Sequence, residues 1–389
     1  MKIKYFFCPV LIIIFLITSC ERANNNSGLS SDNSKKFRNI SAAQLVSEIK
    51  IGWNLGNTLD ATNLAWLPAD ASVHQYERGW GNPVTTPENF TTLKKAGFNA
   101  VRIPVSWGKC TDDIYNIRPE WMKRVTEIVD YAVLNDMYII VNTHHDEDLF
   151  KFTDDETPES LRIFAKIWEQ IAFNFNDYSE KLIFEGLNEP RTKGSPAEWS
   201  GGTNAERINV NKHNQLFVDT VRASGGNNIK RILMVPTYAA SADESAMKGL
   251  VIPQDTINSI NKIIVSIHAY APYNFALNQG NGAVSTWSSN SGSDKAGVNG
   301  PLDLAYNYFV SKGIPVIMGE YGAVDRNNID DRTEWAQYYI SYAKSKGIPC
   351  FWWDNGNFSP NGEVFGFLNR RDNTFPFKKM LDAMMKAAK

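Results

Sequence analysis

From about residue 40 onward, eight short apolar runs alternate with stretches of helical period. The runs cover residues 51–54, 100–103, 137–141, 182–185, 232–235, 263–267, 315–318 and 350–353. Between them, Trp121, Val125, Ile128, Val129, Ala132 and Val133 recur at spacings of three and four, and so do Phe164, Ile167, Trp168 and Ile171. Strands that alternate with amphipathic helices build a parallel sheet. Eight such repeats favour a closed (β/α)8 barrel over an open doubly wound sheet. The first run is followed by no Gly-rich dinucleotide fingerprint, which further disfavours the open form. A Gly-, Ser- and Asn-rich segment, 279–300, reads as one long loop after strand six, on the face where binding loops gather.

The strand ends share a chemistry. Asn54 follows the first run, Arg102 lies in the second, and Thr143-His144-His145 follow the third. Asn188 and Glu189 come after the fourth, His268-Ala269-Tyr270 after the sixth, Glu320-Tyr321 after the seventh, and Trp353-Asp354-Asn355 close the eighth. In a barrel these positions converge on one mouth, where the chemistry of that fold is done. Two carboxylates facing each other there are what hydrolysis of a glycosidic bond requires. A single Glu after a strand could equally cap a helix, but a matched pair argues against capping. Arg102 could be a structural ion-pair partner, or could donate to Glu320 and hold it ionised as a nucleophile. His144, His145 and His268 could ligate zinc, yet there is no HExxH pattern or Cys cluster, and Asn188 beside Glu189 suits sugar hydroxyls better. No metal site is expected. The Trp residues are mostly core by default; flat rings can also carry sugars. Of Trp352 and Trp353, adjacent on one strand, only one can face the mouth.

The chain of 389 residues is 43% hydrophobic, enough for a large core, and its net charge of −2 gives no excess of positive charge for nucleic acid. Lys2 and Lys4 precede an apolar stretch, 5–17, too short for a membrane span of about 20 residues. The sequence Ile17-Thr18-Ser19-Cys20 resembles a bacterial lipobox, so 1–19 reads as a signal peptide and Cys20 as the acylated N-terminus. Residues 20–39 then form the lipidated Cys and a polar tether rich in Asn and Ser, and 40–389 the catalytic domain. Glu21, rather than Asp, after the Cys points to the outer membrane and cell surface. Cys8 lies in the leader, which leaves Cys110 and Cys350 as free, buried thiols.

Seven motifs in order resemble glycoside hydrolase family 5, within the clan of (β/α)8 retaining glycosidases. They are Gly52-Trp53-Asn54-Leu55-Gly56-Asn57, Arg102-Ile103-Pro104-Val105-Ser106-Trp107, Asn142-Thr143-His144-His145, Phe184-Glu185-Gly186-Leu187-Asn188-Glu189-Pro190, His268-Ala269-Tyr270, Gly319-Glu320-Tyr321-Gly322 and Trp352-Trp353-Asp354-Asn355-Gly356. The first and last look most like bacterial endoglucanases with xyloglucan- and mixed-linkage-glucan-active members. The resemblance implies Glu189 as acid/base, held protonated, and Glu320 as nucleophile. It implies a shell of Arg102, His144, Asn188, His268 and Tyr270, sugar contacts from Asn54 and His145, and Trp353 as platform with Trp352 facing away. The expected reaction is two-step retention with the carboxyls roughly 5–5.5 Å apart, Asn188 on the 2-hydroxyl, Tyr270 orienting Glu320, and no cofactor. The expected partner is a β-1,4-glucan, cut internally by a monomer held at the membrane by its lipid. Rival readings are a same-clan mannanase or xylanase, and a lipid-anchored glycan binder that cuts nothing. A binder has no need of both glutamates.

Overall fold

A computed structural model describes residues 37–389, apart from residues 69 and 361. The signal segment, Cys20 and nearly all of the tether lie outside the described residues. Eight strands form the barrel: β1 (Gly52–Leu55), β2 (Ala100–Ile103), β3 (Tyr138–Asn142), β4 (Leu182–Glu185), β5 (Leu233–Ser241), β6 (Ile263–His268), β7 (Val316–Tyr321) and β8 (Cys350–Asp354). Each pairs in parallel with the next, and β8 returns to β1 with Phe351 opposite Gly52. The (β/α)8 barrel expected from the alternation is the observed fold.

The helices form where local chemistry agrees with the period. Helix Pro87–Ala96 starts on a Thr86/Asn89 capping box with Pro87 at its first position, and ends at Gly97 with φ 115°. Helix Pro119–Leu134 buries Trp121, Val125, Ile128, Val129 and Ala132 against the sheet. These faces join the outward side chains of the strands in one large apolar layer.

Inside the barrel a second cluster fills the end where the strands begin. Ile140, Ile183, Met234, Ile264, Ile317 and Phe351 point inward, and helix Ala42–Glu48 closes this floor with Ala42, Leu45 and Val46. Gly52 is required here, since a Cβ at that position would overlap the Phe351 ring. Ser41 caps the floor helix, its Oγ accepting from the Gln44 N–H at 3.1 Å. Cys110 and Cys350 are buried and unbridged, and burial pushes the Cys110 thiol up to about 12. Among the described residues no helix is long and apolar enough to cross a membrane.

One sequence expectation fails. Segment 279–300 is not a single loop, because helix Gly292–Tyr308 occupies its second half. Ser291 nucleates it, with Oγ accepting from Asp294 N–H at 3.2 Å, and Val298, Leu302 and Ala305 form its buried face. The Gly and Asn residues near its start hid the pattern.

Candidate active site

Arg102, on β2, is wholly buried and organises the mouth. Its Nε donates to Glu185 Oε2 at 2.6 Å, and its Nη1 to Glu320 Oε1 at 2.7 Å and Asn54 Oδ1 at 3.1 Å. Its Nη2 donates to Asn188 Oδ1 at 2.7 Å. A lone guanidinium buried this deeply would cost several kcal/mol. Burial lowers its pKa, but the Glu185 and Glu320 charges more than offset that and hold it up.

Glu320 is the fifth residue of β7, inside the strand rather than beyond it, beside His268 in the β6–β7 register. Its Oε2 accepts from Tyr270 Oη at 2.8 Å and lies 3.8 Å from His268 Nδ1. Burial and the Glu320 carboxylate push the Tyr270 phenol well above its usual range, so it stays a donor. Gly319 permits this packing, because a Cβ there would stand 2.9 Å from His268 Nε2.

Glu189 follows β4 in the turn Leu187–Pro190, and its Oε1 lies 2.8 Å from His268 Nδ1. One carboxylate oxygen of Glu189 and one of Glu320 lie within 4.8 Å of each other. Burial raises the Glu189 pKa, but the His268 hydrogen bond and the charges of His268, Arg191 and His145 outweigh it, so the net shift is downward. The hydrogen bond from His268 and the charge of Arg191 are the groups that lower it.

The remaining expected residues take distinct places. Asn188 turns its Oδ1 to Arg102, which leaves its amide N–H2 aimed elsewhere. His144 is buried with Nδ1 3.1 Å from Asn142 Nδ2, and burial followed by the charges of His145 and Arg102 lowers its pKa well below the usual value. His145 is partly open and pairs with Glu147 at 3.3 Å, which raises its pKa despite burial. Trp353 stacks on His144, rings 5.8 Å apart and 2° from parallel, and packs on Val324 and Phe365. Trp352 points the other way, into Trp335 of helix Ile329–Ser345 and Phe367. Asn54 departs from its expected sugar contact. It has no accessible surface, and its Nδ2 donates to the carbonyls of Gly319 at 2.9 Å and Phe351 at 3.2 Å. It stitches β1 to β7 and β8 and steadies Arg102.

Three contributors were not read from the sequence. Glu185 accepts from Arg102, from Asn142 Nδ2 at 3.1 Å and from Ser266 Oγ at 2.6 Å, a third carboxylate beneath the pair. A charge ending an otherwise apolar run was the available signal. Arg191 Nη1 donates to the Glu189 carbonyl at 2.9 Å. Beside the pair a polar recess of about 500 Å³ opens between Trp80, Asn57, Asn82, Asn355 and Glu363. Glu363 lies within the field of the pair, since burial and then the charges of Glu320 and Glu189 raise its pKa.

A family profile described as Cellulase (glycosyl hydrolase family 5) matches residues 60–359, which takes in both glutamates. Endoglucanase A of Ruminococcus albus is 44% identical, covering 94% of this chain and 98% of its own. Endoglucanase A of Clostridium longisporum is 43% identical over 90% of this chain, and the chain spans 66% of that protein's length. A broad-specificity endoglucanase of Ruminococcus champanellensis, solved with cellotriose bound, superposes with a TM-score of 0.86 at 47% identity, covering 90% of this chain and 99% of that one.

Proposed function

We infer, from the premise that the chain belongs to glycosyl hydrolase family 5, that it hydrolyses internal β-1,4-glucosidic bonds by double displacement between Glu320 and Glu189. The observation that carries this reading is the approach of the two carboxylates to within 4.8 Å, with Arg102 on one and His268 between them. So close an approach of carboxylate oxygens favours a retaining arrangement, since inverting enzymes hold their carboxyls roughly 6.5–9.5 Å apart to admit a water.

In the first step Glu320 attacks the anomeric carbon while a proton passes from Glu189 to the leaving oxygen. The carbon–oxygen bond breaks as the glycosyl–Glu320 bond forms, with inversion at the carbon. Arg102 and Tyr270 fix the two oxygens of Glu320, so one lone pair is aimed at the sugar. In the second step Glu189 takes a proton from water, whose oxygen displaces Glu320 and restores the β-configuration. The downward pull on the Glu189 pKa suits this basic half. Asn188, with its Oδ1 committed to Arg102, offers its N–H to the 2-hydroxyl. Trp353 serves as the platform beneath the reacting ring.

The preferred substrates are soluble glucans with 1,4 links, including mixed-linkage glucan and xyloglucan. The recess beside Trp80 supports a site that grips a polymer beyond the cleavage point. The breadth stated for the Ruminococcus champanellensis enzyme supports a tolerant cleft. The leader sequence supports acylation at Cys20 and anchoring by lipid at the outer membrane.

Paired variants test the roles. Glu320→Gln should lose at least about 10⁴-fold on glucans and on aryl glycosides alike. Glu189→Gln should lose about as much on glucans yet keep far more on aryl glycosides with a good leaving group, which need little protonation. Equal loss on both substrates would sink the acid/base assignment. Proton NMR of the first product should show the β-anomer, and an α-anomer would overturn the double displacement.

A further inference from the structure

The face opposite the mouth carries a charge pattern of its own. Lysines stand in or beside the turns that lead into most of the strands: Lys50 before β1, Lys95 before β2, Lys181 before β4, Lys230 before β5, Lys262 before β6 and Lys312 before β7. Lys181 is spent on Asp136, and Lys262 is buried against Asn39 and the Ile40 carbonyl. Lys50, Lys95, Lys230 and Lys312 are exposed and form no ion pair among the described residues. The C-terminal helix Lys378–Ala388 ends on the same face, where Lys344 Nζ reaches the Ala388 carbonyl at 3.4 Å, and adds Lys386 and Lys389. At the mouth, by contrast, Glu147, Glu189, Glu198 and Glu320 face Arg102, Arg191 and Lys193. On a chain of net charge −2 the floor therefore carries a set of lysines whose charge no carboxylate of the described residues offsets in an ion pair.

The N-terminal segment arrives on this same floor. Arg38 is clamped there, Nε to Glu180 Oε1 at 2.5 Å and Nη2 to Glu48 Oε2 at 2.8 Å, immediately before the helix that plugs the barrel. The chain between Cys20 and Arg38 spans at most about 60 Å when fully extended, so an acyl group at Cys20 would hold the domain within that reach of the bilayer, with the tether joined at the floor.

We propose that the floor of the barrel is a docking face for an anionic lipid surface, and that docking turns the catalytic mouth away from the membrane toward polymer. The tether's part in this rests on the lipoprotein reading above; the basic face does not. Lysine ammoniums beside phosphate headgroups gain attraction that dies away within a Debye length, about 8 Å at physiological salt. Docking therefore acts only at close approach, which an anchored tether would make more frequent, and it restrains the tumbling that a tether alone would leave free.

A chain beginning at Glu21 keeps every described residue and removes both the apolar leader and the acyl site. It should co-sediment with vesicles of phosphatidylcholine containing phosphatidylglycerol, not with phosphatidylcholine alone, and should be released by about 0.5 M salt. Combining Lys50→Gln, Lys95→Gln, Lys230→Gln and Lys312→Gln should weaken that binding by up to about 1000-fold and leave kcat on a soluble glucan unchanged. A control quartet on other faces, Lys123, Lys248, Lys295 and Lys378 to Gln, should bind as the parent does. Equal sedimentation with both vesicle types, or equal loss in both quartets, would overturn the proposal. The lipoprotein reading fails separately, if the full-length protein from a membrane fraction has an unacylated mass.

Discussion

Arg191 touches Glu189, the acid/base of the proposed mechanism, twice, through its carbonyl at 2.9 Å and at 3.7 Å from its Oε2. It is held in turn by Glu198 at 3.1 Å and lies 4.4 Å over the Trp199 ring. Its charge is one of those that pull the Glu189 pKa down. Replacing it with Met should let that pKa rise, and the alkaline limb of kcat/KM, which reports loss of the acid's proton, should move to higher pH. The rate at the optimum should change by less than about tenfold. A pH profile that fell uniformly, with no displaced limb, would make Arg191 a structural residue only. The contrast between Arg191 and Glu189 explains what could be read from the sequence. Glu189, Glu320, Arg102, His268 and Tyr270 were legible because a polar group at a strand end has one place to go in a barrel. Glu185, Ser266 and Arg191 were not, since their roles depend on which side chains meet across the lumen. Asn54 was legible as a member of the mouth but not in its depth, and depth decides between holding sugar and holding protein.

Elements are tied to one another by side chains that no periodicity reveals. His213, in helix Asn204–Ala223, is fully buried; Nε2 lies 2.8 Å from Ser160 Oγ of helix Thr157–Asn174 and Nδ1 2.8 Å from the Asn209 carbonyl. Burial lowers its pKa from 6.5 to about 4. As pH falls below about 6.5 the unfolded chain takes up a proton that the folded chain refuses. Stability is therefore complete above that value and declines toward pH 4, by about 3 kcal/mol. His213→Gln should lower stability at neutral pH, yet flatten its slope across that window in urea titrations. An unchanged slope would show that His213 does not govern it. All eight strands were legible from apolar runs, although β5 and β7 extend past theirs, because pairing resumes at Ser241 and Tyr321 beyond irregularities in the ladder that no apolar run marks. Helix Gly292–Tyr308 was illegible for the opposite reason: it pairs a weak apolar face with Gly and Asn, and is held from outside by Trp287 Nε1, which donates to the Asp294 carbonyl at 3.2 Å, and by the neighbouring helices.

At the scale of the molecule, the barrel divides its labour between ends. Leu45 is wholly buried in the floor cluster, a barrel's length from Glu189 and Glu320. Leu45→Ala should cost about 2–5 kcal/mol of stability while kcat stays within twofold of the parent's. A large fall in kcat at a temperature where the variant is fully folded would show that floor and mouth are coupled. The closed ring also has a consequence in time. β1 and β8 lie at opposite ends of the described chain, yet they are neighbours, so one edge of β1 stays unpaired until the last strand has been made. Contacts this distant in sequence form slowly, and unpaired edges invite other chains meanwhile. The stitch from Asn54 to the carbonyls of Gly319 and Phe351 belongs to the same late event. Arg102 meets Asn54 across the early β1–β2 pair, but it gains Glu320 only once β7 is in place. An incomplete chain therefore has no half-active form, and catalysis begins when the ring shuts.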